Sequence, residues 1–324
     1  MGVRITGLGI AVPERIMTNF DLERFVDTSN EWIMERTGIR ERRIADSKTA
    51  TSDLSILAGF EALRRADTKP DELDAIIVCT ATPDMFFPST GCLVQRGLEA
   101  SRAMSFDLSA GCTGFLYGLG VGEGMIRNGM KKILVIGAET LSKFMDFTDR
   151  ATCVIFGDGA GAVVLENDDG DAGMIGSYFT ADGSLGELLY MPAGGTRMPA
   201  TKKTVSDRLH YIKMAGNEVF KYAVRSMAQA SLEAIKRAGV SPDEIALFIP
   251  HQANTRIIEA TRRRLNLPKE KVYVNIDRYG NTSAASIPIA LYEAVESGVI
   301  SEGDIILMVA FGAGFTWGGV VMRW

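Results

Sequence analysis

Histidine and cysteine are scarce in this chain: its 324 residues hold two of the first and four of the second. The histidines are His210 and His251, and no CxxC or CxH pair occurs, so zinc-ribbon, zinc-finger and related metal scaffolds are excluded. Four cysteines do not make a disulfide framework in a chain of this size that lacks secretion signals. No run of about 18 apolar residues is present, which removes a membrane-spanning helix. The opening "MGVRITGLGIAVPERIM" has neither the basic start nor the long apolar centre of a signal peptide, and a cytoplasmic protein is expected. The formal net charge is −5, so nothing in the bulk balance calls for nucleic acid or an anionic membrane as partner. Apolar residues make up 46% and charged residues 23%, which excludes extended disorder and predicts a chain folded throughout.

What is present is alternation. Apolar runs of strand type ("DAIIVCTAT", "SFDLSA", "KKILVIGAE", "GAGAVVLE", "IALFIPH", "VYVNID", "DIILMVAFG", "GGVVMRW") alternate with helical patterns, which predicts an α/β chain with buried sheets. The chain also repeats itself: "KPDELDAIIV" from Lys69 and "SPDEIALFIP" from Ser241 share a Pro-Asp-Glu helix start and a strand, at an offset of 172 residues. The same offset carries "ILVIG" at Ile133 onto "IILMV" at Ile305 and Cys112 onto Ala284. We therefore divide the chain into an N-terminal half, residues 1–170, a C-terminal half, residues 216–324, and a Gly/Pro-punctuated insertion or lid between them, residues 171–215. Related helices of a duplicated fold meet near its axis, which would bring the segments of Cys112 and Asn281 together.

Four stretches carry candidate chemistry. In "FDLSAGCTGFLYGLGVG", Cys112 sits between glycines at a strand-to-helix elbow, where backbone amides and the helix dipole favour a thiolate; the bland alternative is a small residue in tight packing. Cys79, Cys92 and Cys153 read as buried small hydrophobes. "ALFIPHQANTRIIEATRRRL" presents His251 and Asn254 after a strand, either as site groups or as satisfied core polar residues. In "NIDRYGNTSAASIPIALYEAV", Asn281 can cap the helix that follows or donate its amide to an oxyanion. "MVAFGAGFTWGGVVMRW" offers the backbone N–H of Ala313 or Gly314 as a partner for that of Cys112 in an oxyanion hole. A dinucleotide site is disfavoured, because "FGDGAGAVVLE" and this last stretch lead into strands and give no G-x-G-x-x-G before a helix.

Taken together, "GCTGF", "FGDGAG", "MAGNEVFK", "HQANTRI", "GNTSAAS" and "FGAGFTWG" resemble, in order and nearly end to end, the thiolase-like condensing enzymes, most closely the β-ketoacyl-acyl-carrier-protein synthase III family. The resemblance implies a duplicated α/β fold of layered helices and two mixed five-stranded sheets (αβαβα). It implies decarboxylative condensation of an acyl-CoA starter with malonyl-acyl carrier protein, with no cofactor, and Cys112, His251 and Asn281 as catalytic residues. Elongating relatives use a second histidine, and thiolases a second cysteine late in the chain; here the only spare histidine, His210, follows no strand end, and no cysteine lies beyond Cys153. A related enzyme of secondary metabolism, or a condensing enzyme of the hydroxymethylglutaryl-CoA type with a glutamate base, is the rival reading. Coenzyme A would contact Thr28, Trp32, Arg36, Arg150, Gly216, Phe220 and Asn254, with adenine between the indole of Trp32 and a guanidinium. Phe87 would close the acyl pocket of a second copy, implying a homodimer, and Arg256, Arg262, Arg263 and Arg264 would dock the acidic carrier protein. Thr113 stands where the family commonly has alanine or serine, which leaves the shape of the acyl pocket open but not the chemistry.

Overall fold

In a computed structural model, residues 2–168 and 170–324 are described. The first half supplies strands β1 (Gly2–Ala11), β2 (Ala75–Cys79), β3 (Met104–Leu108), β4 (Lys132–Thr140) and β5 (Asp158–Asp168), with helices α1 (Asn30–Thr37), α2 (Thr51–Arg65) and α3 (Gly114–Arg127). The second supplies β6 (Gly173–Ala181), β7 (Ile245–Pro250), β8 (Ile305–Gly312) and β9 (Thr316–Arg323), with helices α4 (Gly216–Ala238), α5 (Thr255–Arg264) and α6 (Ser286–Glu296). The first sheet runs β1-β5-β4-β2-β3 and the second β6-β9-β8-β7, both mixed. Helix α2 covers the outer face of the first sheet and α4 that of the second, while α3 and α6 lie between the sheets. This is the expected layered, duplicated fold. The central layer is apolar on both sides: Phe115, Leu116 and Leu119 of α3 and Ile287, Ala290 and Leu291 of α6 share one buried cluster with residues of both sheets.

The repeat has a structural counterpart in each half. Pro70–Glu72 and Pro242–Glu244 are both single 3-10 turns before a strand. Gly111–Thr113 and Ser283–Ala285 are both 3-10 turns leading into a central helix. The offset slips by one at the last strands, because Ala75 pairs with Ile133 while Leu247 pairs with Ile306.

Two sequence expectations need correction. The second sheet has four strands among the described residues, not five: "VYVNID" makes only a single bridge, Phe248 to Val272. The Gln252 side chain takes the backbone groups a longer strand would use, accepting from Asn275 N–H at 3.1 Å and donating to the Tyr273 carbonyl at 3.1 Å. The division at residue 171 also places Gly173–Ala181 with the lid, whereas that segment is the edge strand β6 of the second sheet, paired with β9. Its alternation was masked by glycines at both 173 and 176.

The halves meet backbone to backbone. A Cβ on Gly137 of β4 would lie 2.2 Å from the Ala284 carbonyl oxygen, in the turn that precedes α6. Nothing flexible separates the two, so Gly137→Ala forces the layers apart and is expected to cost about 1–3 kcal/mol. Gly124→Ala, in α3 with nothing within 4 Å of the new methyl, is expected instead to gain up to about 1 kcal/mol from helix propensity. Urea unfolding of the two variants beside the parent checks both signs.

Candidate active site

Cys112 follows the end of β3, where Gly111 takes φ +53°, a left-handed conformation that favours glycine. A side chain at 111 would also run into the opposite turn, with its Cβ 2.9 Å from Ala313 N. The elbow thus presents the Cys112 sulfur to a cavity of about 530 Å³ at the head of α3. The Ser283 hydroxyl and the N–H groups of Cys112 and Ala313 act on that sulfur and favour its anion, but burial is the larger effect and pushes the thiol up to about 12. The expectation of a resting thiolate is therefore corrected. Desolvation outweighs the amides, and the nearby carboxyl of Glu139 adds to the rise.

His251 leaves the end of β7 with its N–H on the Val309 carbonyl at 2.7 Å. Its Nδ1 meets the Ser286 hydroxyl at 2.6 Å, while that oxygen accepts the Gln252 N–H at 3.4 Å. A hydroxyl that donates to Nδ1 leaves the ring proton on Nε2. Burial lowers the imidazole to about 3, so it is uncharged at neutral pH. Asn281 is held by a short bridge to the first half, its N–H donating to the Ile155 carbonyl at 2.9 Å and its own carbonyl accepting from Gly157 N–H at 3.0 Å. Its Oδ1 caps the following turn through Ser283 N–H at 2.8 Å, which orients the carboxamide and leaves Nδ2 as the end available to a ligand. Cap and donor are thus two ends of one side chain. Cys112, His251 and Asn281, from three segments and both halves, line the same cavity.

The cavity runs outward past Gly216, Phe220 and Asn254 to Trp32, Arg36 and Arg150. Trp32 is placed by the Ser29 cap of α1, and the guanidiniums of Arg36 and Arg150 lie 4.8 and 4.7 Å from its ring centre. A planar base on the indole therefore has to displace one of them. Thr28 lies outside the lining, yet its buried hydroxyl has no partner. Asn254 caps α5 through Arg256 N–H at 2.8 Å and ties that helix to α1 by donating to the Arg36 carbonyl at 2.7 Å, so it clasps the two halves at the mouth. Arg256 stacks over Phe220 at 5.3 Å.

Other sequence candidates lie elsewhere. Phe87 is 85% exposed, beside exposed Phe86 and Met85, and does not line the cavity. Arg262 turns back on its own helix, bonded to Glu259 and to the Leu267 carbonyl, and Arg263 shares Glu259; Arg256 and Arg264 are exposed. The four arginines are thus not four free charges. His210 pairs with the Thr204 hydroxyl at 3.0 Å, away from the cavity. Cys79 and Cys153 are buried as expected, but Cys92 is exposed, because its position on the short helix after Ser89 faces outward. Thr113 is fully buried and outside the cavity lining; its hydroxyl donates to the Thr316 carbonyl at 3.1 Å. Ser286, Ser283 and Thr316 were not picked out from sequence. Each is a small polar residue at the start of a helix, turn or strand, with no local sign of the distant group it meets. Among the described residues no cluster of three or more metal-binding side chains occurs, and no helix is long and apolar enough to cross a membrane.

A duplicated α/β chain with a cysteine elbow in one half, facing a histidine and an asparagine from the other, has the architecture of the thiolase-like condensing enzymes, and the comparisons with known proteins agree. Residues 106–183 match the family described as 3-oxoacyl-[acyl-carrier-protein] synthase III, and residues 235–324 match its C-terminal part. The chain is 58% identical to the β-ketoacyl-[acyl-carrier-protein] synthase III of Caldanaerobacter subterraneus subsp. tengcongensis, over 99% of this chain and 97% of that one. It superposes on the crystal structure of 3-oxoacyl-[acyl-carrier-protein] synthase III from Aquifex aeolicus with TM-score 0.93 and 51% identity, covering all of both chains. The priming β-ketosynthase of the R1128 polyketide pathway is more distant, at 33% identity and TM-score 0.91 over 99% of this chain and 96% of that one. The chain belongs to the β-ketoacyl-acyl-carrier-protein synthase III family, whose members are acyltransferase-type condensing enzymes.

The buried imidazole sets a pH dependence. Its folded-state value lies below that of an unfolded histidine, about 6.5, so the unfolded chain binds more protons and stability falls as pH drops below that value. Between pH 7 and pH 5 His251 should remove about 2 kcal/mol. Unfolding titrations at both pH values should show the parent losing that much more than His251→Gln; equal losses would refute a neutral buried imidazole.

Proposed function

We propose that this enzyme joins an acyl-CoA starter to malonyl-acyl carrier protein with loss of carbon dioxide, giving a 3-oxoacyl-acyl carrier protein and initiating type II fatty-acid synthesis. The observation that carries the reading is the single cavity that joins Cys112, His251 and Asn281 at its floor to Trp32 and Arg150 at its mouth. Acyl-CoA enters as substrate, and no resident cofactor is needed. The pantetheine arm follows Asn254, Gly216 and Phe220, the adenine takes a guanidinium's place on the Trp32 indole, and Arg36 and Arg150 answer the phosphates. The orphaned Thr28 hydroxyl is a further donor for the nucleotide end.

In the first step the Cys112 sulfur attacks the thioester carbonyl. The proton it loses is the one the departing CoA sulfur gains, so no standing thiolate is required. Negative charge on the tetrahedral oxygen is held by the N–H groups of Cys112 and Ala313, which already converge on the sulfur. In the second step the malonyl thioester oxygen accepts from His251 Nε2–H and Asn281 Nδ2–H. These bonds stabilise the enolate left when carbon dioxide departs, and its carbon attacks the acyl-cysteine and expels the sulfur. A neutral histidine with its proton on Nε2 is the form this step needs, and the Ser286 contact and the burial of the ring both favour it. The rival condensation with a glutamate base is not favoured. The buried Glu139 is turned into Thr80, Ala81 and Thr82, and does not line the cavity.

The apolar tip Met85–Phe87, exposed on one copy, supports a homodimer in which Phe87 closes the partner's acyl pocket. Exposed Arg256 at the mouth and exposed Arg264 at the far end of α5 offer charge to the acidic carrier protein, with Arg263 partly neutralised and Arg262 holding α5. Four unpaired cysteines fit a reducing, cytoplasmic setting.

Intact mass after incubation with acetyl-CoA should show one acyl adduct on the parent and none on Cys112→Ala; an adduct that survives the substitution would overturn the first step. His251→Ala and Asn281→Ala should still acylate, yet release carbon dioxide from malonyl-acyl carrier protein at least about 100-fold more slowly, as loss of an oxyanion donor does elsewhere. Undiminished decarboxylation in both would remove their roles.

A further inference from the structure

The oxyanion donor Ala313 sits on the tight turn between β8 and β9, a segment with no side chain to hold it to the nucleophile. The two backbones are in direct contact: a Cβ on Gly312 would lie 2.4 Å from Cys112 N, and one on Gly111 would lie 2.9 Å from Ala313 N. On its far side the turn is anchored at Phe315, whose N–H and carbonyl both pair with Asp182 at 2.8 Å. On the near side a single residue spans the elbow. The Thr316 hydroxyl donates to the Ala110 carbonyl at 2.8 Å, before Cys112, and the Thr316 carbonyl accepts from the Thr113 hydroxyl at 3.1 Å, after it. The two hydroxyl oxygens are themselves 3.1 Å apart, and the Thr316 hydroxyl lies 3.4 Å from the Ala313 carbonyl. The contact is shielded, since Thr113 is fully buried.

We propose that Thr316 and Thr113 form a hydroxyl latch that brackets Cys112 and sets the Ala313 N–H at the distance the developing oxyanion needs. Both are positioning residues: neither lines the cavity, and they act through the backbone of 110–113 and 312–316. A donor displaced by a few tenths of an ångström still leaves the sulfur in place, so loosening the latch should slow attack on a carbonyl more than reactions of the sulfur that create no oxyanion. This rests on the proposed acyl transfer to Cys112.

The test compares two reactions of the same sulfur in the full-length protein. Acylation by acetyl-CoA builds charge on an oxygen; alkylation by iodoacetamide, read at Cys112 by peptide mass because exposed Cys92 also reacts, displaces iodide at carbon, forms no oxyanion, and feels the Ala313 N–H only through its small effect on the sulfur. Thr316→Val and Thr113→Val should each slow single-turnover acylation about tenfold, short of the ~10²–10³ lost when a donor is deleted outright, with alkylation within about twofold of the parent. Thr316→Ser and Thr113→Ser, which keep the hydroxyls, should restore acylation. Parallel loss of both reactions, unchanged acylation in the valine variants, or failure of the serine variants to rescue would overturn the latch. Failure of the parent itself to acylate at Cys112 would instead count against the acyl-transfer reading. Should a valine variant not fold, its serine counterpart and the other valine variant give the same comparison.

Discussion

Everything at the catalytic end of this protein depends on two equivalent turns being pressed together in the middle of the fold. The turn that carries Cys112 and the turn that follows Asn281 open the two central helices, α3 and α6, and lie against each other, while Gly137 and Gly157 let the first half approach residues 279–284 backbone to backbone and Gly111 lets the Ala313 turn reach the elbow. A methyl at Gly157 would lie 2.3 Å from the Tyr279 carbonyl, in the segment that leads to Asn281. This contact lets the first half hold the Asn281 backbone through Ile155 and Gly157 while the second half supplies the residue. The nucleophile and its partners are consequently fixed by main-chain hydrogen bonds and close packing, and long side chains play little part in placing them.

Burial then decides the charge state. A cysteine pushed up to about 12 and a histidine pulled down to about 3 are both neutral over the physiological range, for one common reason: neither charged form finds enough water or counter-charge in the pocket. Neutrality suits the reaction proposed. An imidazole kept neutral by burial donates through Nε2 without first having to lose a proton, and a thiol that hands its proton to the leaving sulfur adds no net charge to a dry site. The buried polar groups that make this tolerable are small: Ser286 behind the imidazole, Ser283 beside the sulfur, and the Asn281 oxygen on the turn.

The mouth of the cavity follows different rules. There Trp32, Arg36 and Arg150 are partly exposed, and the two guanidiniums stack on the indole. Asn254 links α1 to α5 across the halves, which gives a residue expected to touch coenzyme A a structural duty as well. Arg262, by contrast, has a structural duty, its guanidinium closing its own helix end on Glu259 and the Leu267 carbonyl.

Local residue order was enough to read the alternation of strands and helices, the duplication at an offset of 172 residues, and the elbow at Cys112, because those are properties of adjacent residues and of one stretch laid on another. The histidine and asparagine segments were legible for the same reason, as polar residues at strand and helix ends. Tertiary structure alone decided the rest. It made Cys112 a thiol and not a thiolate, since desolvation depends on what surrounds the sulfur from distant parts of the chain. It reduced "VYVNID" to one bridge, since Gln252 reached its backbone first. It also made Thr113 a partner of Thr316, 203 positions away, because a hydroxyl's role is set by the group it meets in space and no local pattern records that meeting.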